Sequence, residues 1–111
     1  MITDDDAQSL DALSRLLKIA QSDTGQSRRV ANFLLAWWNA ESCGGFDFTD
    51  LWCVDRAIAD DMLAVTRLIA TAHNYPTAYG LGGQFERLIA DWRPHLLEPV
   101  TEQSRERRMS P

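Results

Sequence analysis

Apolar side chains recur along this chain every third or fourth residue, and that spacing limits the folds open to it. In the clearest stretch Val30, Phe33, Leu34, Trp37 and Trp38 fall at i, i+3, i+4, i+7 and i+8. An α-helix gathers such positions on one side, whereas a strand would scatter them over both faces. Leu10, Leu13, Leu17 and Ala20 repeat the pattern, with Leu16 widening the stripe. So do Ile58, Met62, Val65, Ile69 and Ala72, and again Phe85, Leu88, Ile89 and Trp92. No stretch alternates with period two for long enough to make a strand. The expected fold is therefore all-α, a compact bundle of about four antiparallel helices. A single helical domain is expected over 1–96, followed by a flexible, polar C-terminal tail over 97–111.

Local signals place the helices at about Ala7–Ser22, Ser27–Glu41, Val54–His73 and Gln84–Trp92. Asp4, Asp5 and Asp6 precede the first, where negative charge complements the helix dipole. Gly25 is expected to close that helix, and Thr24 or Ser27 to cap the next. The short connection between them predicts an antiparallel hairpin. A glycine within Cys43-Gly44-Gly45 should take a left-handed C-terminal cap. In Gly45 to Trp52, Asp47 or Thr49 can cap a short turn expected to bury Phe48, Leu51 and Trp52. Asn74 is the expected cap of the third helix, stopped by Pro76 two residues on, and Arg93-Pro94 ends the fourth.

The charge balance excludes several function classes. Sixteen acidic residues against eleven Lys and Arg give a net charge of -5, so counterion release offers the whole molecule no general affinity for nucleic acid. Charge is also segregated. Glu41, Asp47, Asp50, Asp55, Asp60 and Asp61 face only Arg56 within 41–61, whereas 12–40 holds Arg15, Lys18, Arg28 and Arg29 against Asp23. An acidic face opposite a basic patch suits either a solvated surface that keeps the chain soluble or steering towards a charged protein. The longest apolar run, Phe33 to Trp38, is far short of the roughly 20 residues of a membrane span. The acidic start lacks the basic and apolar regions of a secretory signal, so a cytoplasmic location is expected. There Cys43 and Cys53 stay free thiols.

Reactive chemistry finds little support. Cys43, Cys53, His73 and His95 are spaced too widely for a structural zinc site, whose paired ligands usually sit two to four residues apart. The acids of 47–61 lack a calcium-loop pattern. Cys43 falls at a helix C-terminus, where the dipole opposes a thiolate. Gly80-Leu81-Gly82-Gly83 is neither a Walker motif nor a dinucleotide fingerprint, and reads as a tight connection that lets the fourth helix pack closely. No cofactor, metal or catalytic residue is expected.

Two features suggest contact instead. Arg28 and Arg29 sit in the first turn of a helix, where cations oppose the dipole. They must pair with Asp23 or the 41–61 acids, or face an anionic partner. Trp37 and Trp38 point about 100° apart, so either one is partly exposed and contacts another chain, or two neighbouring helices cover a wide apolar face. Asp60 and Asp61 are expected on the exposed side of the third helix.

The segments Asp23-Thr24-Gly25-Gln26-Ser27-Arg28-Arg29-Val30-Ala31, Leu34-Leu35-Ala36-Trp37-Trp38-Asn39-Ala40 and Cys43-Gly44-Gly45-Phe46-Asp47 resemble a family of small uncharacterised proteins carried on bacterial integrative and conjugative elements. Asp60-Asp61-Met62, Tyr79 to Phe85 and Trp92-Arg93-Pro94 are similar to it too, so the resemblance runs from about Leu10 to Pro94. It brings no activity and no catalytic or binding residues. It implies a setting in which small acidic proteins often antagonise host defence, including CRISPR interference and restriction, by occupying a surface.

The sequence thus points to a non-enzymatic protein-binding module of a mobile genetic element, an inhibitor of a host defence system among the options. Its expected contact residues are Arg28, Arg29, Trp37, Trp38, Asp47, Asp50, Asp60 and Asp61, with the acids able to mimic phosphate towards a nucleic-acid-handling complex. The alternatives are a homodimeric accessory protein and a weak nucleic-acid-associated regulator.

Overall fold

The computed structural model describes residues 3–97. Four α-helices are present: α1 (Asp4–Ala20), α2 (Gly25–Cys43), α3 (Arg56–Ala72) and α4 (Gly82–Trp92). Short 3-10 turns cover Phe48–Cys53, Pro76–Tyr79 and Pro94–Leu96, and no strand occurs among the described residues. None of these helices is long and apolar enough to cross a membrane. The tail expected over 97–111 lies, beyond Leu97, outside the described residues.

Side-chain chemistry sets the helix ends. Thr3 Oγ1 accepts from the Asp6 amide at 3.1 Å, so Asp4, Asp5 and Asp6 form the first turn of α1 and do not merely precede it. Thr24, and not Ser27, caps α2: its Oγ1 accepts from the Ser27 amide at 3.0 Å and lies 2.8 Å from Ser27 Oγ. That pairing satisfies the one polar side chain α2 buries, Ser27. Gly25 opens α2 where the sequence suggested it would close α1, which ends at Gln21 with an ordinary right-handed backbone. The left-handed cap of α3 falls on His73 (φ 55°, ψ 38°) one residue before Asn74. Of the glycines between 80 and 83, only Gly80 needs its glycine backbone (φ 72°). A Cβ on Gly82 would make an ordinary 3.5 Å contact with Thr77, and one on Gly83 would meet nothing. Close packing of α4 is therefore not what those residues provide.

The helices stack in the order α3, α1, α2, α4: α1 packs against both α2 and α3, and α2 against α4. Neighbours run antiparallel. Arg15 meets Asp61 while Ser9 lies by Leu68, so numbering rises along α1 as it falls along α3. In the same way Trp38 meets Phe85 and Asn32 meets Arg93. The core joins Leu13, Leu16 and Leu17 to Leu34, Leu35, Met62, Val65 and Phe85. Each such side chain contributes about 1.5–3 kcal/mol on burial. The stripe of α3 ends differently from its sequence pattern: Leu68 is buried, while Ile69 and Ala72 are half-buried. Leu68 is the residue that meets α1, whereas Ile69 borders an open hollow beside Trp37.

α2 is interrupted at Asn39, whose extended backbone (φ -168°, ψ 93°) ends the main helix directly after Trp38. Asn39 Oδ1 accepts from the Ser42 amide at 3.2 Å, which caps a last separate turn. That turn buries Cys43 and offers its carbonyl to Arg93, whose guanidinium also donates to Asn32 and to the Trp92 carbonyl. The ends of α2 and α4 are thereby locked together just ahead of the 44–55 connection.

Candidate protein-interaction surface

The connection from Gly44 to Asp55 leaves the bundle through Gly44 (φ 95°), a backbone that side-chain-bearing residues rarely adopt. It is then pinned to α2 at three places. Phe46 packs edge-on against Phe33, with ring centroids 5.3 Å apart. Asp50 Oδ1 lies 3.4 Å from Arg29 Nε. Asp55 exchanges two hydrogen bonds with Gln26, its amide donating to Oε1 at 2.6 Å and its Oδ2 accepting from Nε2 at 3.3 Å. Gln26, Arg29 and Phe33 stand at i, i+3 and i+7, so a single stripe of α2 carries the whole connection.

Within it, Asp47 starts the Phe48–Cys53 turn. Its Oδ1 accepts from Thr49 Oγ1 at 2.8 Å and from the Thr49 amide at 2.9 Å. The Thr49 hydroxyl first, and its amide second, hold the Asp47 carboxyl below its ordinary value. Leu51 points back to the core. Phe48 and Trp52 do not: they are 78% and 82% exposed. This corrects the expectation that the turn buries Phe48, Leu51 and Trp52 together. Phe46 takes the place on Phe33, and of the turn's own apolar residues only Leu51 packs against the core.

The expected contact residues fall into three separate groups. Asp47, Asp50 and Arg29 lie together at the turn. Arg29 belongs to the scaffold: NH1 donates to the Gly25 carbonyl at 3.3 Å, and its solvent-shielded Nε lies near Asp50 without being aligned to donate to it. The cation at the start of α2 is thus matched by a 41–61 acid and not by Asp23. Arg28, its neighbour, is exposed.

Trp37 and Trp38 form the second group, and neither is turned out to solvent. Both are half-buried against Phe85, which Trp37 meets edge-on at 5.8 Å and Trp38 stacks on at 5.4 Å. Trp37 Nε1 also donates to the Asn74 carbonyl at 3.1 Å. One phenylalanine of α4 thus packs on both indoles, and each keeps partial exposure, Trp37 beside the open hollow bordered by Ile69 and Tyr75.

Asp60 and Asp61 form the third group, on α3. Asp61 is held by Arg15 through two bonds of 2.9 Å, its side chain only 16% exposed, and so is not on the open side of the helix. The hydrogen bond and charge of Asp61 raise the Arg15 pKa further above its usual value. Asp60 is exposed and pairs with Arg56 at 3.8 Å, one turn away.

Sequence reasoning missed Phe48 and Trp52. The signal that could have found them is the Gln26, Arg29, Phe33 stripe, which marks α2 as having a second occupied face and so leaves the following turn outside the core. Among the described residues no three His, Cys, Asp or Glu side chains gather as metal ligands. Cys43 is buried and Cys53 exposed.

The model of DUF7673, a family of unknown function, matches residues 10–93. The chain belongs to that family. No curated protein and no solved structure matches it significantly.

Proposed function

We propose that this chain is a non-enzymatic protein-binding module that meets its partner through the Gly45–Asp55 connection. The observation that carries this reading is the presentation of two large aromatic side chains, Phe48 and Trp52, on a turn anchored to α2 at Phe33, Arg29 and Gln26. Exposed aromatics favour burial, and Trp is among the residue types that dominate interface energies. An anchored turn loses little freedom on binding, which favours affinity. The finer role, as an inhibitor of a host defence system carried by a mobile element and acting in the cytoplasm, rests on the sequence resemblance alone.

The test is a photo-crosslinking amino acid placed at Phe48, at Trp52 and, as a control, at the exposed Asp11 on α1, in cells expressing the full chain. A discrete adduct from positions 48 and 52 but not from 11 is the expected result. Adducts from position 11 alone would refute the reading. For the finer role, the expected outcome is loss of phage or plasmid restriction in cells expressing the chain, with the loss abolished by F48A/W52A.

A further inference from the structure

We infer that the partner offers this turn a cationic, arginine-bearing segment; the inference rests on the protein-binding reading above. The carboxylates of residues 47–61 differ in what already holds them. Asp50, Asp60 and Asp61 are each matched to a cation, Arg29, Arg56 and Arg15 respectively. Asp47 and Asp55, which precede and follow the turn, accept instead from neutral donors: the hydroxyl and amide of Thr49, and the side-chain amide of Gln26. Their negative charge is fixed in position but not neutralised by any cation among the described residues. Along the chain, two anions held in place therefore flank the segment that carries Phe48 and Trp52.

That combination selects a ligand class. A guanidinium stacks on an indole face and donates to carboxylates in the same plane, so Arg suits this surface better than Lys. A nucleic acid or an anionic lipid surface would meet Asp47 and Asp55 with like charge. A second copy of this chain, docking turn to turn, would set Asp47 and Asp55 against themselves, which disfavours a symmetric dimer through this face. A basic protein segment satisfies both the rings and the acids.

The experiment uses four octapeptides that alternate Gly with Arg, Lys, Glu or Leu, titrated into the full chain while the Trp52 indole resonance and fluorescence anisotropy are followed. The Arg peptide should bind most tightly, move the Trp52 resonance, and weaken as salt shortens the screening length. W52A should weaken it about three- to fivefold, and D47N/D55N by a similar factor. Both sets of side chains are exposed, and circular dichroism checks that each variant is folded. If the Leu or Glu peptide moves Trp52 as strongly, the cationic class is wrong while the turn remains a binding surface. Binding of the Arg peptide that leaves Trp52 unmoved and survives W52A would place the contact elsewhere and overturn the inference. So would no response to any peptide, whereas the crosslinks at positions 48 and 52 judge the protein-binding reading separately.

Discussion

The seam between α2 and α4 and the turn after α2 are both rich in aromatic residues, yet one hides its rings and the other presents them. In the seam, Phe85 is fully buried between Trp37 and Trp38. Trp92 next to it donates its indole proton to the Ala20 carbonyl at 2.8 Å. The rings there find partners from several elements: Phe85 of α4 meets both indoles of α2, Trp37 donates to the Asn74 carbonyl that follows α3, and Trp92 donates to α1. In the turn, Phe46 packs on Phe33 and Leu51 on the core, while Phe48 has an edge contact with Phe46 at 6.2 Å and stays, like Trp52, largely exposed. Aromatic content alone therefore does not separate buried rings from exposed ones; what the neighbouring elements cover does.

Substitutions can break or sharpen this contrast. The largest expected effect is at the centre of the seam: Phe85→Ala should cost about 3–5 kcal/mol, measured by denaturant unfolding, a large share of the stability of a domain this size. Next is the clamp at the edge of the seam. Arg93→Met strips the Cys43 carbonyl and Asn32 of their donor and should cost about 1–3 kcal/mol, with the 44–55 connection losing amide protection against hydrogen exchange before the rest. A smaller effect is expected for the pair between Arg15 and Asp61. Arg15 is 59% exposed, so a double-mutant cycle should give a weak coupling that fades with added salt. Smallest on stability are Phe48→Ala and Trp52→Ala, each within about 0.5 kcal/mol of the parent, although either should abolish partner crosslinking. A large loss of stability in the last pair would erase the distinction between the two regions.

Acid provides a further probe confined to the turn. The carboxyl of Asp47 is held below its ordinary 3.8 by Thr49. Between its folded and unfolded values the unfolded chain binds more protons, so stability rises with pH there. The contribution of the cap is complete above the ordinary carboxylate range and is lost as pH falls through the depressed value. The Thr49 amide resonance should hold its native position until pH falls through that depressed value, and Asp47→Asn should remove that dependence.

Much of the architecture can be read from the chain. Helix identity follows from the 3.6-residue spacing of Leu13, Leu16 and Leu17, of Val30, Phe33 and Leu34, and of Phe85, Leu88 and Ile89, because burying one side of a helix demands that spacing. The candidate surface was less legible. The local excess of acid marks Asp47 and Asp50, and the helix start marks Arg29; the fold brings the three together, with Arg29 tied to the Gly25 carbonyl and beside Asp50. Asp60 and Asp61 belong to α3 and its own ion pairs. The angular separation of Trp37 and Trp38 says that they cannot share one narrow contact, and Phe85, from an element nearly fifty residues later, packs on both while each stays half-buried.

Periodicity and capping residues, which act within one or two turns of backbone, determined the class of fold, the four helices and the antiparallel run of the first two. Tertiary structure decided which apolar side chains the core could accommodate. Phe46 and Phe48 are two residues apart and chemically identical, so nothing local distinguishes them; only the reach of the connection to Phe33 does. Competition for a limited covered area is a property of the assembled bundle, and it left Phe48 and Trp52 facing outward between Asp47 and Asp55.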